Sequence, residues 1–205
     1  ILQRYRGNSH LKSALEESTL QTVIPLMIRY VQFNRNFGAG VAYLASQLTL
    51  REDLFQDRDE PSTPWNDRSM EIASHVFAAA IDEFGDRGLP TRPTHRLLAQ
   101  AVMKGLVEYS GYRPLRRQDY LEARDAGVDR EVRQGYGIDV LLDEPHLFQS
   151  IGFHISSELL ADEEFRLVDS TLRYKYPEMA QYLESKRVSI SGHQLPAYHW
   201  IAIHT

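Results

Sequence analysis

Pro25-Leu-Met-Ile-Arg-Tyr-Val-Gln-Phe-Asn-Arg-Asn-Phe-Gly-Ala-Gly-Val-Ala-Tyr-Leu-Ala-Ser-Gln-Leu48 is the stretch that decides the fold class. Met27, Tyr30, Val31, Asn34, Phe37, Val41, Leu44 and Leu48 recur at steps of three and four, the period of a helix with one buried face. One long core helix is expected here, with Pro25 tolerable in its first turn because the leading amides of a helix have no intrahelical partner. The same period carries on down the chain. A second helix is expected near Arg68 to Phe84, with Met70, Ala73, Phe77, Ala80, Ile81 and Phe84 on its inward face, and a third from Pro93 to Ser110. Shorter charged helices should fill Arg116 to Gly137 and end in a flexible Gly135-Tyr-Gly137. Helices over Pro145 to Leu160, Asp162 to Tyr174, Pro177 to Lys186 and from Pro196 onward complete the reading. No alternating strand pattern stands out. The expected fold class is all-α, a single domain over 1–205 built as a bundle of about seven or eight helices.

Composition narrows what such a bundle can do. The 205 residues can bury roughly two-thirds to three-quarters of the unfolded surface, so no disulfide or metal is needed for folding. The absence of cysteine excludes thiolate chemistry, disulfides and cysteine metal sites, and is consistent with a cytoplasmic location. A formal net charge of −5 argues against nucleic acid as a partner. No apolar run approaches the ~20 residues of a membrane helix, so no membrane partner is expected; a homodimer is compatible with the composition. The sequence starts at Ile1 without an initiator Met and stops at Thr205 inside an expected helix, so a piece of a longer product is expected.

Three ionisable side chains fall on apolar stripes. His95 lies three residues before Leu98 and seven before Val102; Glu158 shares spacings with Ile151, Ile155, Leu159 and Phe165; His204 follows Trp200 and Ile201 by one turn. A buried carboxylate is costly unless paired, protonated or metal-bound, so a shared polar cluster is the natural solution. Taken singly, each histidine is more often a hydrogen-bonded core residue than a ligand. His154, one turn before Glu158, is expected to orient that carboxylate by a hydrogen bond. Asn34 interrupts the long seam and could face a substrate, and Tyr30, Phe33, Phe37 and Tyr43 could line a pocket. Glu71 and His75 read as a solvated face, His10 and His193 as loop residues, and His146 as a helix-start residue.

The Ile81-Asp-Glu-Phe-Gly-Asp86 segment with Thr94-His-Arg-Leu-Leu98, Phe153-His-Ile-Ser-Ser-Glu158 and Tyr198-His-Trp-Ile-Ala-Ile-His204 resembles the heme-oxygenase-like superfamily, in its CADD-like branch of diiron oxidases. The resemblance runs over about Leu20 to Thr205. It implies a heme-oxygenase-like bundle and a metal set of Glu83, His95, Glu158 and His204, four of six family positions, with an Asp and a His expected after Thr205. Glu83 borders its stripe, near Ile72 and Val76, and rests mainly on the resemblance. The family implies two irons, or manganese, that can be lost from the isolated protein, and a dioxygen-activating oxidase of a small, partly apolar substrate such as an amino acid or fatty acid. Two alternatives stand beside it: a cofactor-independent enzyme like TenA or PqqC, though TenA-type hydrolysis relies on a cysteine, and a non-catalytic helical protein with a vestigial metal site.

Overall fold

The computed structural model describes residues 9–52, 54–55, 68–85, 92–111, 126–138, 140 and 142–205. Among them, eight helices of eight or more residues and a single-turn helix surround one two-stranded sheet, so the fold is an all-α bundle. The helices are α1 (Ser9–Glu16), α2 (Leu20–Arg35), α3 (Phe37–Thr49), α4 (Arg68–Phe84), α5 (His95–Tyr109), α6 (Ala126–Gly135), α7 (Glu144–Lys175), α8 (Pro177–Ser185) and α9 (His199–Ala202). Strands β1 (Arg187–Ile190) and β2 (His193–Pro196) lie between α8 and α9. The expected loop from Arg51 to Asp67 falls largely outside the described residues; of the charged helices expected over Arg116 to Gly137, α6 is the described part and 116–125 lie outside.

The long seam is broken. Asn36 sits at φ −97°, ψ −2° between α2 and α3, and its side-chain amide donates to Asp129 Oδ1 on α6 at 3.1 Å. Gln32, one turn earlier, donates to the same oxygen at 3.2 Å. Two amides bound to one carboxylate fix the break. α2 starts five residues earlier than expected, which puts Pro25 inside it, where the ring is exposed and one backbone bond is given up.

Two cores result. α1, α2, α5, the second half of α7, α8, β1 and the Ala197–Ile201 segment share one cluster, including Met27, Val31, Val102, Leu106, Phe165 and Trp200. α3, α4, α6 and the start of α7 share the other, including Phe37, Leu44, Ala73, Tyr136 and Leu147. α7 contributes to both. Asp143 caps it by accepting from the His146 amide at 3.0 Å, and no Gly or Pro interrupts the stretch where two helices had been expected to meet, so it runs 32 residues unbroken.

Other expectations are corrected. On α4 the buried face is Ser69, Ala73, Val76 and Ala80, while Met70, Phe77, Ile81 and Phe84 are exposed. Ala73 and Ala80 are buried as expected, but the helix is turned by about 60° from the expected setting, because its small residues allow close packing on α3. Gly135-Tyr-Gly137 is not a flexible end. Tyr136 is wholly buried, a Cβ on Gly135 would fall 2.6 Å from the Phe153 ring, and Gly137 takes φ +63°. The Pro196 region is not one helix but the end of a hairpin whose turn, Ser191-Gly192, has φ of +50° and +84°, the type I′ signature.

Candidate metal centre

The cavity lies at the junction of the two cores, where α2 gives way to α3, α4 ends, α5 begins, α7 passes its midpoint and α9 closes. Its volume is about 160 Å³. Glu83, His95, Glu158 and His204 all line it. Glu83, His95 and Glu158 arrive from α4, α5 and α7, and His204 from the turn that follows α9. Glu83 continues the buried α4 face of Val76 and Ala80 at a further three residues, which is why a side chain that bordered the expected stripe turns inward. Thr94 accepts from the Leu97 amide at 3.2 Å and starts α5, so His95 enters at its first position, buried.

His95 Nδ1 donates to Glu83 Oε1 at 3.1 Å, which leaves Nε2 as the lone-pair nitrogen of the ring. His204 stacks on Phe165, with centroids 4.1 Å apart and planes at 9°, and its Nδ1 donates to the Trp200 carbonyl at 2.7 Å. This fixes its tautomer in the same sense as that of His95. The two imidazoles are 5.0 Å apart, edge to face. Burial first, and His95 as well, hold His204 below the ordinary histidine value against the opposing Trp200 hydrogen bond, so it is neutral near pH 7.

Glu158 lines the cavity but not for the expected reason. Ile155 and Leu159 are exposed, and the buried line of α7 runs through Ser150, His154 and Phe165 instead. Glu158 sits on the border of that line, with 49% of its side chain open to solvent. Partial burial, then the Glu83, Asp82 and Asp162 carboxylates, raise its pKa, and solvent softens the effect. His154 does not orient it by a hydrogen bond: Nδ1 is 3.8 Å from Glu158 Oε1 and 3.2 Å from the Tyr136 hydroxyl, which is its partner. Burial lowers the His154 pKa, so its Nδ1 can accept from Tyr136. Phenol ionisation is disfavoured by burial, then by Glu158 and Glu83.

The remaining walls are largely aromatic. Tyr30, Phe33, Phe37, Phe165 and Trp200 line the cavity with Asn34, whose amide donates to the Tyr30 carbonyl at 2.9 Å. Tyr43 does not line it; its hydroxyl binds the Val140 carbonyl. Glu71 and His75 are exposed, His10 is on α1, His193 on β2, and His146 pairs with the α7 cap Asp143 in solvent. Sequence reasoning missed Asp82, Asp162 and Glu164, which also line the cavity. The signals were present: Asp82 precedes Glu83, and Asp162 lies one turn after Glu158. Tyr136 was missed because two flanking glycines were taken as a mark of mobility rather than of close packing.

Among the described residues, no three His, Asp or Glu side chains are gathered tightly enough to hold one ion as they stand. In kind, however, the donor set fits. Two imidazoles and two carboxylates suit Fe(II) or Mn(II), and the mutual repulsion that raises Glu158 is what a cation would relieve. In comparisons with known proteins, the chain matches no family model, no curated protein and no solved structure.

Proposed function

We propose that this cavity holds iron, with manganese as the substitute, and that the protein is a non-heme oxidase or oxygenase acting with dioxygen on a small, partly apolar substrate, in the manner of the diiron oxidases it resembles. One observation carries the reading: Glu83, His95, Glu158 and His204, from three helices and the turn after α9 and spread over more than a hundred residues, line the same small chamber. These four would hold the metal, which when bound supplies one-electron chemistry and dioxygen activation. The chain supplies the rest. Hydrogen bonds at Nδ1 orient both imidazoles. His95 would ligate through Nε2 and keep its Nδ1 proton on Glu83, so the hydrogen bond that orients the ring survives binding. Tyr30, Phe33 and Trp200 exclude water and take the apolar part of the substrate. Anaerobic Fe(II) titration with reductant should show stoichiometric uptake by the parent chain and loss of uptake in Glu158→Ala and His95→Ala variants that keep their helical circular dichroism. Absence of uptake in the parent overturns the reading.

The Glu83–His95 hydrogen bond favours one alternative, a cofactor-independent acid–base enzyme in which Glu83 orients His95 and Nε2 accepts the substrate proton. Activity undiminished by a chelator, and lost in Glu83→Gln, would select it.

A further inference from the structure

The charge of the chamber narrows what it can hold. Five carboxylates line it, from Asp82, Glu83, Glu158, Asp162 and Glu164, and no Lys or Arg does among the described residues. Glu83 and Glu158 would serve a metal, and Asp82 and Asp162 stand beside them at the opening. Asp82 and Asp162 pair with no Lys or Arg among the described residues. Glu164 lies beside Tyr30, whose phenol ionisation it opposes. The rings of Tyr30, Phe33, Phe37 and Trp200 line the same cavity, and aromatic π-faces attract cations as well as apolar groups. A carboxylate ligand would meet no guanidinium or ammonium here, and the field of the walls would repel it.

We propose that the substrate of this chamber is an organic cation, a small amine with an aromatic or apolar body and no carboxylate. Fatty acids and zwitterionic amino acids are thereby disfavoured. The volume of about 160 Å³, below the ~300 Å³ at which sites for drug-sized ligands begin, limits the body to roughly one ring. The ammonium lies against Asp82 and Asp162, and the body against Trp200 and the phenylalanines. This inference rests on the reading of the cavity as a substrate chamber, but not on whether iron is bound.

The test is calorimetric titration of the metal-free 205-residue chain at pH 7 and low salt with three probes of matched body: 2-phenylethylamine, 3-phenylpropionate and phenylalanine. The amine should bind at least about ten-fold more tightly than the carboxylate, with the zwitterion between them and the preference shrinking at high salt. The Asp82→Asn/Asp162→Asn double variant, altered at two exposed positions, should weaken the amine several-fold and leave the carboxylate unchanged or improved. Carboxylate binding equal to or tighter than the amine, no amine binding at millimolar concentration, or an unchanged double variant would each overturn the proposal. The two readings fail separately: amine preference without iron uptake ends the oxidase reading alone, and iron uptake with carboxylate preference ends this one alone.

Discussion

Replacing Gly40 with alanine should destabilise the protein although it improves the helix. Gly40 lies in the second turn of α3, and an added Cβ would sit 2.2, 2.5 and 2.7 Å from three carbons of the Tyr136 ring. That ring has nowhere to go: it is wholly buried, with the Phe37 and Phe153 centroids at 5.5 and 5.0 Å and its hydroxyl bound to His154. Overpacking costs about 1–3 kcal/mol, and contacts this short belong at the upper end. Alanine over glycine in a helix returns about 1 kcal/mol. The net loss is about 2 kcal/mol, which for a chain of this size lowers Tm by about 4–8 °C. Gly152→Ala in α7 is the matched control, because nothing lies within 4 Å of its added Cβ; it should stabilise by about 0.5–1 kcal/mol. Urea unfolding followed by far-ultraviolet circular dichroism measures both. A Gly40→Ala protein as stable as the parent, or both variants shifting in the same direction, would refute the packing argument. The same clash should disturb the His154 ring resonance, which the control should leave in place.

Three further outcomes are expected. His154 and His204, both lowered chiefly by burial, should titrate below the ordinary histidine value by NMR; the unfolded chain then binds more protons, so the stability these residues contribute is full above about pH 6.5 and falls as pH drops toward their folded values. Glu158→Gln should stabilise the metal-free protein at pH 7 by less than about 1 kcal/mol, since a half-exposed carboxylate with a raised pKa opposes folding only when ionised. That advantage should vanish as pH falls toward about 4, and a variant less stable at neutral pH contradicts the repulsion argument. Tyr198→Phe removes a 2.6 Å hydrogen bond from a buried hydroxyl to Asp169 and should cost about 1–2 kcal/mol by thermal unfolding; a loss near zero would mean that Arg173, which also binds Asp169, satisfies that carboxylate alone.

Period-three-and-four patterning made the helices legible but not their rotation. On α4, large apolar residues were taken as the core face, whereas the core takes the small ones because α3 packs against them. The break at Asn36 was invisible because it depends on Asp129, more than ninety residues away. The continuity of α7 could have been read from the lack of any helix breaker between Leu159 and Phe165. The place of His95 and His204 beside buried apolar neighbours, Leu98 and Val102 for one and Trp200 and Ile201 for the other, was legible from spacing. Glu83 was found through the resemblance, and the stripe that contains it emerges only when α4 is turned. Glu158 was found through a stripe that faces solvent. The acidic rim escaped notice because Asp82 and Asp162 read as ordinary surface charges until α4 and α7 are brought to the same opening.

The unbroken 32-residue helix has a consequence for how the molecule tolerates change. At 1.5 Å per residue it is a rod of roughly 48 Å, anchored by Leu147 at one end and by Phe165, Val168 and Leu172 toward the other. The chamber occupies the span between the anchors, so its gauge is set by a covalent ruler rather than by the loops around it. One residue inserted between Ser150 and His154, before the first lining residue of the helix, would twist one anchor by about 100° against the other and would spoil the chamber without replacing any residue that lines it.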